Sequence, residues 1–247
     1  MMMLKEMIKN IRGKWHKDLY RELEAKCKNL YRELETKYES LAEMMMFLIK
    51  QSSQSEEELS LLWDMYGSDK GSTFRKNVHT YTNTYHSLFS PIRNEVKAVF
   101  ECGIFRGASL RAWRDYFRNA IIIGGDIDAN SLYEDVRIHT ALLDQMDPNK
   151  IELFFLHSYQ VYPDKFDIII DDGCHIYEAT ICLFENSIKN LKSNGIYIIE
   201  DMLEECFSKY KEYFKKYIDK NEITVEYKIM SGLNGDPHNN LIIIRKG

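Results

Sequence analysis

AVFECGIFRGAS, residues 98–109, decides how the rest of the chain reads. A short apolar run ends in an acid, Glu101. Gly103 and Gly107 follow, and a helix-favouring stretch opens near Ala108. That is a buried strand, a tight turn and a helix start in twelve residues. Three later runs share the plan: IIIGGDID (121–128), FDIIIDDGCH (166–175) and GIYIIEDM (195–202). Continuous apolar strands suit a sheet covered on both faces. Between them lie helical patterns at 108–117, near 129–134, at 148–156, 176–191 and 203–219, with a short strand near 136–141. This alternation predicts a doubly wound α/β sheet, mostly parallel. The end breaks the pattern: EITVEYKIM (222–230) and NLIIIRK (240–246) have no helix between them and predict a closing antiparallel pair.

In such a sheet the loops at the carboxyl ends of the strands line the ligand crevice. Glu101, Asp126, Asp171, Asp172, His175, Glu200 and Asp201 should therefore gather along one edge. The glycine loop is neither GxGxxG nor a P-loop, because the glycines are wider apart and no GK[ST] follows. Asp126 ends the next strand, where an acid can accept hydrogen bonds from both hydroxyls of a ribose. Loop and acid together point to an adenosine-type ligand. Asp144, then Gln145, in ALLDQMD (141–147) are placed to meet its base.

DDGCH and the Glu200–Asp201 pair form the second constellation. Asp172 and His175 lie three apart on a turn entering a helix and can face one cavity. Crowded carboxylates repel one another, and a bound divalent cation relieves that repulsion. Oxygen ligands suit Mg²⁺ or Mn²⁺ rather than zinc. His175 is the natural general base beside it.

Bulk composition limits the remaining classes. The chain has 247 residues, 45% of them hydrophobic, which allows one large domain or one domain plus an appendage. A net charge of −5, with no basic stretch interleaved with aromatics, gives no support for nucleic-acid binding. Five cysteines (Cys27, Cys102, Cys174, Cys182, Cys206) are an odd number without CxxC spacing, which argues for free thiols and a cytoplasmic setting. No segment approaches the ~18 apolar residues of a membrane helix, and MMMLKEMIKN lacks the apolar core of a signal peptide.

Residues 1–57 stand apart: charged, proline-free, with Gly13 alone. LYRELEAK (19–26) recurs as LYRELETK (30–37), a period of 11 that suits a long helix with slight right-handed supercoiling. Leu19, Leu23, Leu30, Leu34 and Leu41 form its stripe. The expectation is a helical extension over 1–57 that makes a homo-oligomer, ahead of a catalytic domain over 58–247.

Taken in order and spacing, YGSDKGST (66–73) with HTYTNTYHSLFSPIR (79–93), ECGIFRGASLRAWRDYF, IIIGGDID, IIIDDGCHIYE and NGIYIIEDM resemble the class I S-adenosylmethionine (AdoMet)-dependent methyltransferases. Within them they are similar to the metal-dependent sugar O-methyltransferases of macrolide pathways and their relatives in capsule and surface-polysaccharide clusters. The resemblance covers about 62–245. It implies a Rossmann-like methyltransferase sheet, AdoMet and Mg²⁺ (or Mn²⁺) as cofactors, and a sugar or nucleotide-sugar acceptor. It implies that Glu101, Gly103, Gly107 and Ser109 shape the AdoMet pocket while Asp126 holds the ribose. Asp172, Glu200 and Asp201 match the metal ligands, and His175 the base. The Tyr66–Tyr85 stretch, with Lys70, His79 and Tyr81, resembles the segment that covers the cofactor and meets the substrate. Two positions depart from the pattern: Cys174 replaces a usual serine, and Ala179 stands where a second histidine is common. A metal-dependent hydroxylase of the cephalosporin-hydroxylase group and a non-catalytic AdoMet-binding scaffold are the alternatives; a dinucleotide oxidoreductase is disfavoured by the glycine spacing.

Overall fold

The computed structural model describes residues 56–71, 81–230 and 236–247, with isolated positions between 26 and 44. The chain divides into two compact units, Met1–Gln51 and Ser52–Gly247. The first holds the 11-residue repeat. Its described positions, among them Leu30 and Leu41, are helical and exposed, and most of the leucine stripe lies outside the described residues.

The second unit is built on a seven-stranded sheet. Its strands are β1 (Ala98–Cys102), β2 (Ile121–Asp126), β3 (Ile138–Leu142), β4 (Phe166–Asp171), β5 (Leu191–Ile199), β6 (Ile223–Lys228) and β7 (Leu241–Lys246). Their order is β3-β2-β1-β4-β5-β7-β6. The first five run parallel, and β7 pairs antiparallel with both β5 and β6. β6 and β7 close the sheet as the antiparallel pair that the last two apolar runs predict. The strand order reverses direction between β1 and β4, the place where such sheets open a crevice.

Helices cover both faces: α1 (Glu56–Tyr66), α2 (Thr82–Phe89), α3 (Ala108–Tyr116), α4 (Pro148–Val161), α5 (Tyr177–Ser187) and α6 (Phe207–Ile218). All five residues of β1 are buried, and side chains alternate across a strand. Phe100 therefore meets Phe154 and Phe155 of α4, with ring centroids 5.0 and 5.1 Å away. Burying one such ring contributes on the order of 2 kcal/mol. Glu101, the next residue, points to the opposite face, beneath α3.

α1 and α2 are fastened to α3 by an aromatic cluster. Trp63 meets Trp113 edge-on at 5.1 Å, Tyr85 stacks on Phe89 at 5.3 Å, and both helices' rings contact Trp113. Arg93 adds a two-pronged ion pair to the buried Glu58, at 2.5 and 2.7 Å. Beside these helices, Lys70 and Tyr81 reach the acids that follow β4 and β5.

One expected element is absent. The helix near 129–134 is a single 3₁₀ turn, Ala129–Ser131. Asp128 accepts from both the backbone and the side-chain N–H of Asn130. Such short polar side chains bond locally and compete with helix formation.

Candidate active site

The loops after β1, β2, β3 and β4 enclose a crevice of about 560 Å³, lined by Gly103, Asp126, Asp144, Gln145, Asp172 and His175 among others. Gly103 has φ +84°, and a Cβ there would lie 1.9 Å from the carbonyl oxygen of Asp172. The loops after β1 and β4 touch only because that side chain is missing. Asp126 organises the same turn: one oxygen accepts from the N–H groups of Ile104 and Phe105 at 3.0 and 2.9 Å, the other from Asp128. Phe105, Ile127, Met146 and Ile176 supply an exposed apolar rim. A rim of this kind beside a carboxylate suits a flat base joined to a ribose.

Gln145 is a clamp between two loops. Its Nε2 donates to Asp171 (3.2 Å) and its Oε1 accepts from the N–H of Cys174 (2.8 Å). Asp171 is fully buried, and burial lifts its carboxyl to about 6. It accepts from Gln145 and from the N–H of Gly173, so it supports the turn from within.

Beside the crevice the acids converge. The ladder pairs Asp171 with Ile199, so Asp172 and Glu200 come next to each other, one step past the strands. Ligand atoms of Asp172, His175 and Asp201 lie within 4.8 Å of one another, a cluster of the size that holds a metal ion. His175 Nε2 is 3.7 Å from Asp201 Oδ2. His175 and Asp201 both adopt left-handed backbone, φ 55° and 57°. Non-glycine residues held there cost of order 1–3 kcal/mol each, and such strain gathers at functional sites. The carboxylate oxygens fit Mg²⁺ or Mn²⁺, with Asp172 and Asp201 as the hard donors and the His175 imidazole beside them.

Burial pulls the His175 pKa below its usual value, which Asp201 opposes and the charges of Lys70 and His238 reinforce. The imidazole is thus neutral, and able to accept a proton, at ordinary pH. Glu200 is fully buried; Tyr85 donates to one of its oxygens and Lys70 to the other, at 2.7 Å. Burial pushes its carboxyl up to about 7, against the pull of Lys70. Lys70 also donates to Asp172 at 2.6 Å. Burial works against the ammonium, yet the flanking carboxylates hold its pKa well above that of an ordinary lysine.

Four expected cofactor residues lie elsewhere than the crevice wall. Glu101 is fully buried and accepts from Ser109 Oγ (2.5 Å) and Trp113 Nε1 (2.6 Å). Strand alternation turns it toward α3, whose own Ser109 and Trp113 meet it. Gly107 shapes the start of α3, where its φ of +69° and the Tyr133 ring leave no room for a side chain. Tyr81 is buried and donates to Asp201 at 2.5 Å, so it serves the acids. The hydrogen bond from Tyr85 to Glu200 has no motif of its own in the sequence; the one signal for it is membership of the Tyr66–Tyr85 stretch. His79 lies outside the described residues.

The strand order, with its crevice at the β1/β4 reversal, is that of the class I AdoMet-dependent methyltransferase fold. In sequence the chain is similar to sugar O-methyltransferases. It is 34% identical over 144 residues to the 8-demethyl-8-alpha-L-rhamnosyl tetracenomycin-C 2'-O-methyltransferase of Streptomyces olivaceus, covering 56% of this chain and 35% of that protein. It is 35% identical over 133 residues to the demethylmacrocin O-methyltransferase of Streptomyces fradiae, covering 51% and 32%. The match thus spans about a third of each of these relatives. Among solved structures, MycE methyltransferase from the mycinamycin biosynthetic pathway, in complex with Mg, SAH and mycinamycin VI, superposes with a TM-score of 0.59 at 26% identity, covering 76% of this chain and 54% of that one. No family model matches the chain.

Proposed function

We propose that this chain is an AdoMet-dependent, divalent-metal-dependent O-methyltransferase acting on a sugar hydroxyl. The observation that carries the reading is the Asp172–His175–Asp201 cluster at the edge of a crevice that also holds Gly103, Asp126 and Asp144. Asp172 and His175 belong to both, so a donor in the crevice and an acceptor at the acids meet at shared residues. The names of the relatives, which place a methyl on a rhamnosyl 2' oxygen or on demethylmacrocin, support it.

When bound, AdoMet supplies an electrophilic methyl group, and a divalent cation held by Asp172 and Asp201, with Glu200 beside them, supplies Lewis acidity toward the acceptor hydroxyl. His175 Nε2 takes the hydroxyl proton, and Asp201 stabilises the resulting imidazolium. A bound donor would give up its methyl with the carbon–sulfur electron pair left on sulfur, and the acceptor oxygen deprotonated by His175 would receive it. Asp126 and the glycine turn hold the donor, the acids hold the acceptor, and alignment of the two carries much of the rate.

The acceptor is a glycoside or a nucleotide-linked sugar of surface-polysaccharide or related glycoside biosynthesis, methylated in the cytoplasm. The 11-residue repeat supports a homo-oligomer through the N-terminal segment. The test is methyl transfer from radiolabelled AdoMet to a panel of glycosides and nucleotide-sugars with Mg²⁺, products read by mass. A product heavier by CH₂ supports the reading; one heavier by a single oxygen turns it to the hydroxylase. Binding of AdoMet without transfer to any acceptor leaves the scaffold alternative.

A further inference from the structure

All three acids of the proposed metal centre are gripped by one segment of chain. Lys70 bonds Asp172 and Glu200, Tyr85 bonds Glu200, and Tyr81 bonds Asp201. The tyrosines bring hydroxyls, whereas Lys70 brings a full charge. Its side chain is 3% exposed, and it sits between carboxylates from two strand ends. Its backbone is tied at both sides, by Ser68 Oγ at its N–H and by Thr82 Oγ1 at its carbonyl. The α1–α2 anchoring described above holds that backbone over the sheet.

A lysine committed this way takes up part of the negative charge that a bound cation would otherwise neutralise. We infer that Lys70 is a built-in monovalent cation of the metal centre: it positions Asp172 and Glu200 and, through its charge, sets the site's preference for divalent over trivalent ions. The inference rests on the metal centre proposed above. Its physical basis is that a fixed positive charge repels a neighbouring cation in proportion to that cation's own charge. Removing the ammonium must therefore favour a trivalent ion more than a divalent one. Replacing it with another cation must leave the preference alone.

The experiment measures affinity for Mn²⁺ by electron paramagnetic resonance and for Tb³⁺ by tyrosine-sensitised luminescence, at one pH, in the full chain. The proteins are wild type, Lys70→Gln, Lys70→Met and Lys70→Arg, each first shown to melt cooperatively and to bind S-adenosylhomocysteine. Either neutral variant decides, and glutamine keeps hydrogen-bond donors while losing the charge. The expected result is a Tb³⁺:Mn²⁺ affinity ratio raised at least about ten-fold in the neutral variants and unchanged in Lys70→Arg. An unchanged ratio in a folded neutral variant overturns the inference, as does an arginine variant that shifts as far as the neutral ones. Wild-type protein that binds neither ion overturns the metal centre itself, a result distinct from the other two.

Discussion

The α-carbon of Gly103 faces the carbonyl oxygen of Asp172 so closely that a Cβ would sit 1.9 Å from it. One residue belongs to the turn of the proposed donor pocket, the other to the proposed metal centre. Gly103→Ala must push the loops after β1 and β4 apart, on top of the strain of φ +84°. The expected loss is at least ~2 kcal/mol in urea unfolding. Binding of S-adenosylhomocysteine should fall with it in calorimetry. Wild-type affinity in the alanine variant would show that the contact does not shape the pocket.

His175→Ala should bind S-adenosylhomocysteine like wild type yet lose methyl transfer by about 10²–10⁴-fold, the usual contribution of a positioned base. Its ring serves the reaction, and the crevice keeps its other walls. Single-turnover transfer measured with saturating donor checks this; turnover close to wild type removes the base role.

Excess EDTA should abolish transfer, and added Mg²⁺ or Mn²⁺ should restore it. Asp172→Asn should weaken Mn²⁺ binding and leave a variant that added metal rescues only in part. Full activity in EDTA is the outcome that sinks a metal-dependent reaction.

Gln145→Leu removes the clamp between the β3 and β4 loops at nearly constant volume. It leaves buried Asp171 and the N–H of Cys174 each short of a partner. The expected cost is about 1–3 kcal/mol of stability, read as a lower urea midpoint at unchanged slope.

Glu101 predicts a pH dependence of stability. Burial raises its carboxyl from 4.5 to about 7, with Lys70 and its two hydrogen bonds pulling the other way. A raised carboxyl in the folded state means that the folded protein holds the proton more tightly. Below the unfolded value both states are protonated and the group adds nothing adverse. From about 4.5 to 7 unfolding releases a proton, so stability falls as pH rises; above that range the loss is constant. The loss approaches ~3 kcal/mol by pH 8. Glu101→Gln should flatten that slope in urea titrations from pH 4.5 to 8, and parallel curves for the two proteins would refute it.

The apolar runs ending in acid or glycine made the strand order of events readable, and their spacing placed Gly103, Asp126, Asp144, Asp172 and His175 at one edge, where they are found. Local chemistry explains why: buried parallel strands need continuous apolar runs, and turns need glycine or short polar residues. The same chemistry misled at 129–134, where local polar bonding replaced a helix. Strand parity was the harder matter. Glu101 looked like a crevice acid because its apolar run ends there, two residues before Gly103, but strand alternation turns it beneath α3.

The sequence by itself therefore determined the sheet, the edge where chemistry would gather and the residue types available there. Only the tertiary structure decided which of those acids face the cavity, and that Lys70, Tyr81 and Tyr85 reach across to hold them. The contacts of Lys70 with Asp172 and Glu200 join residues 102 and 130 positions apart. No local pattern encodes such a meeting, because it depends on the α1–α2 segment packing against α3 over the ends of two strands.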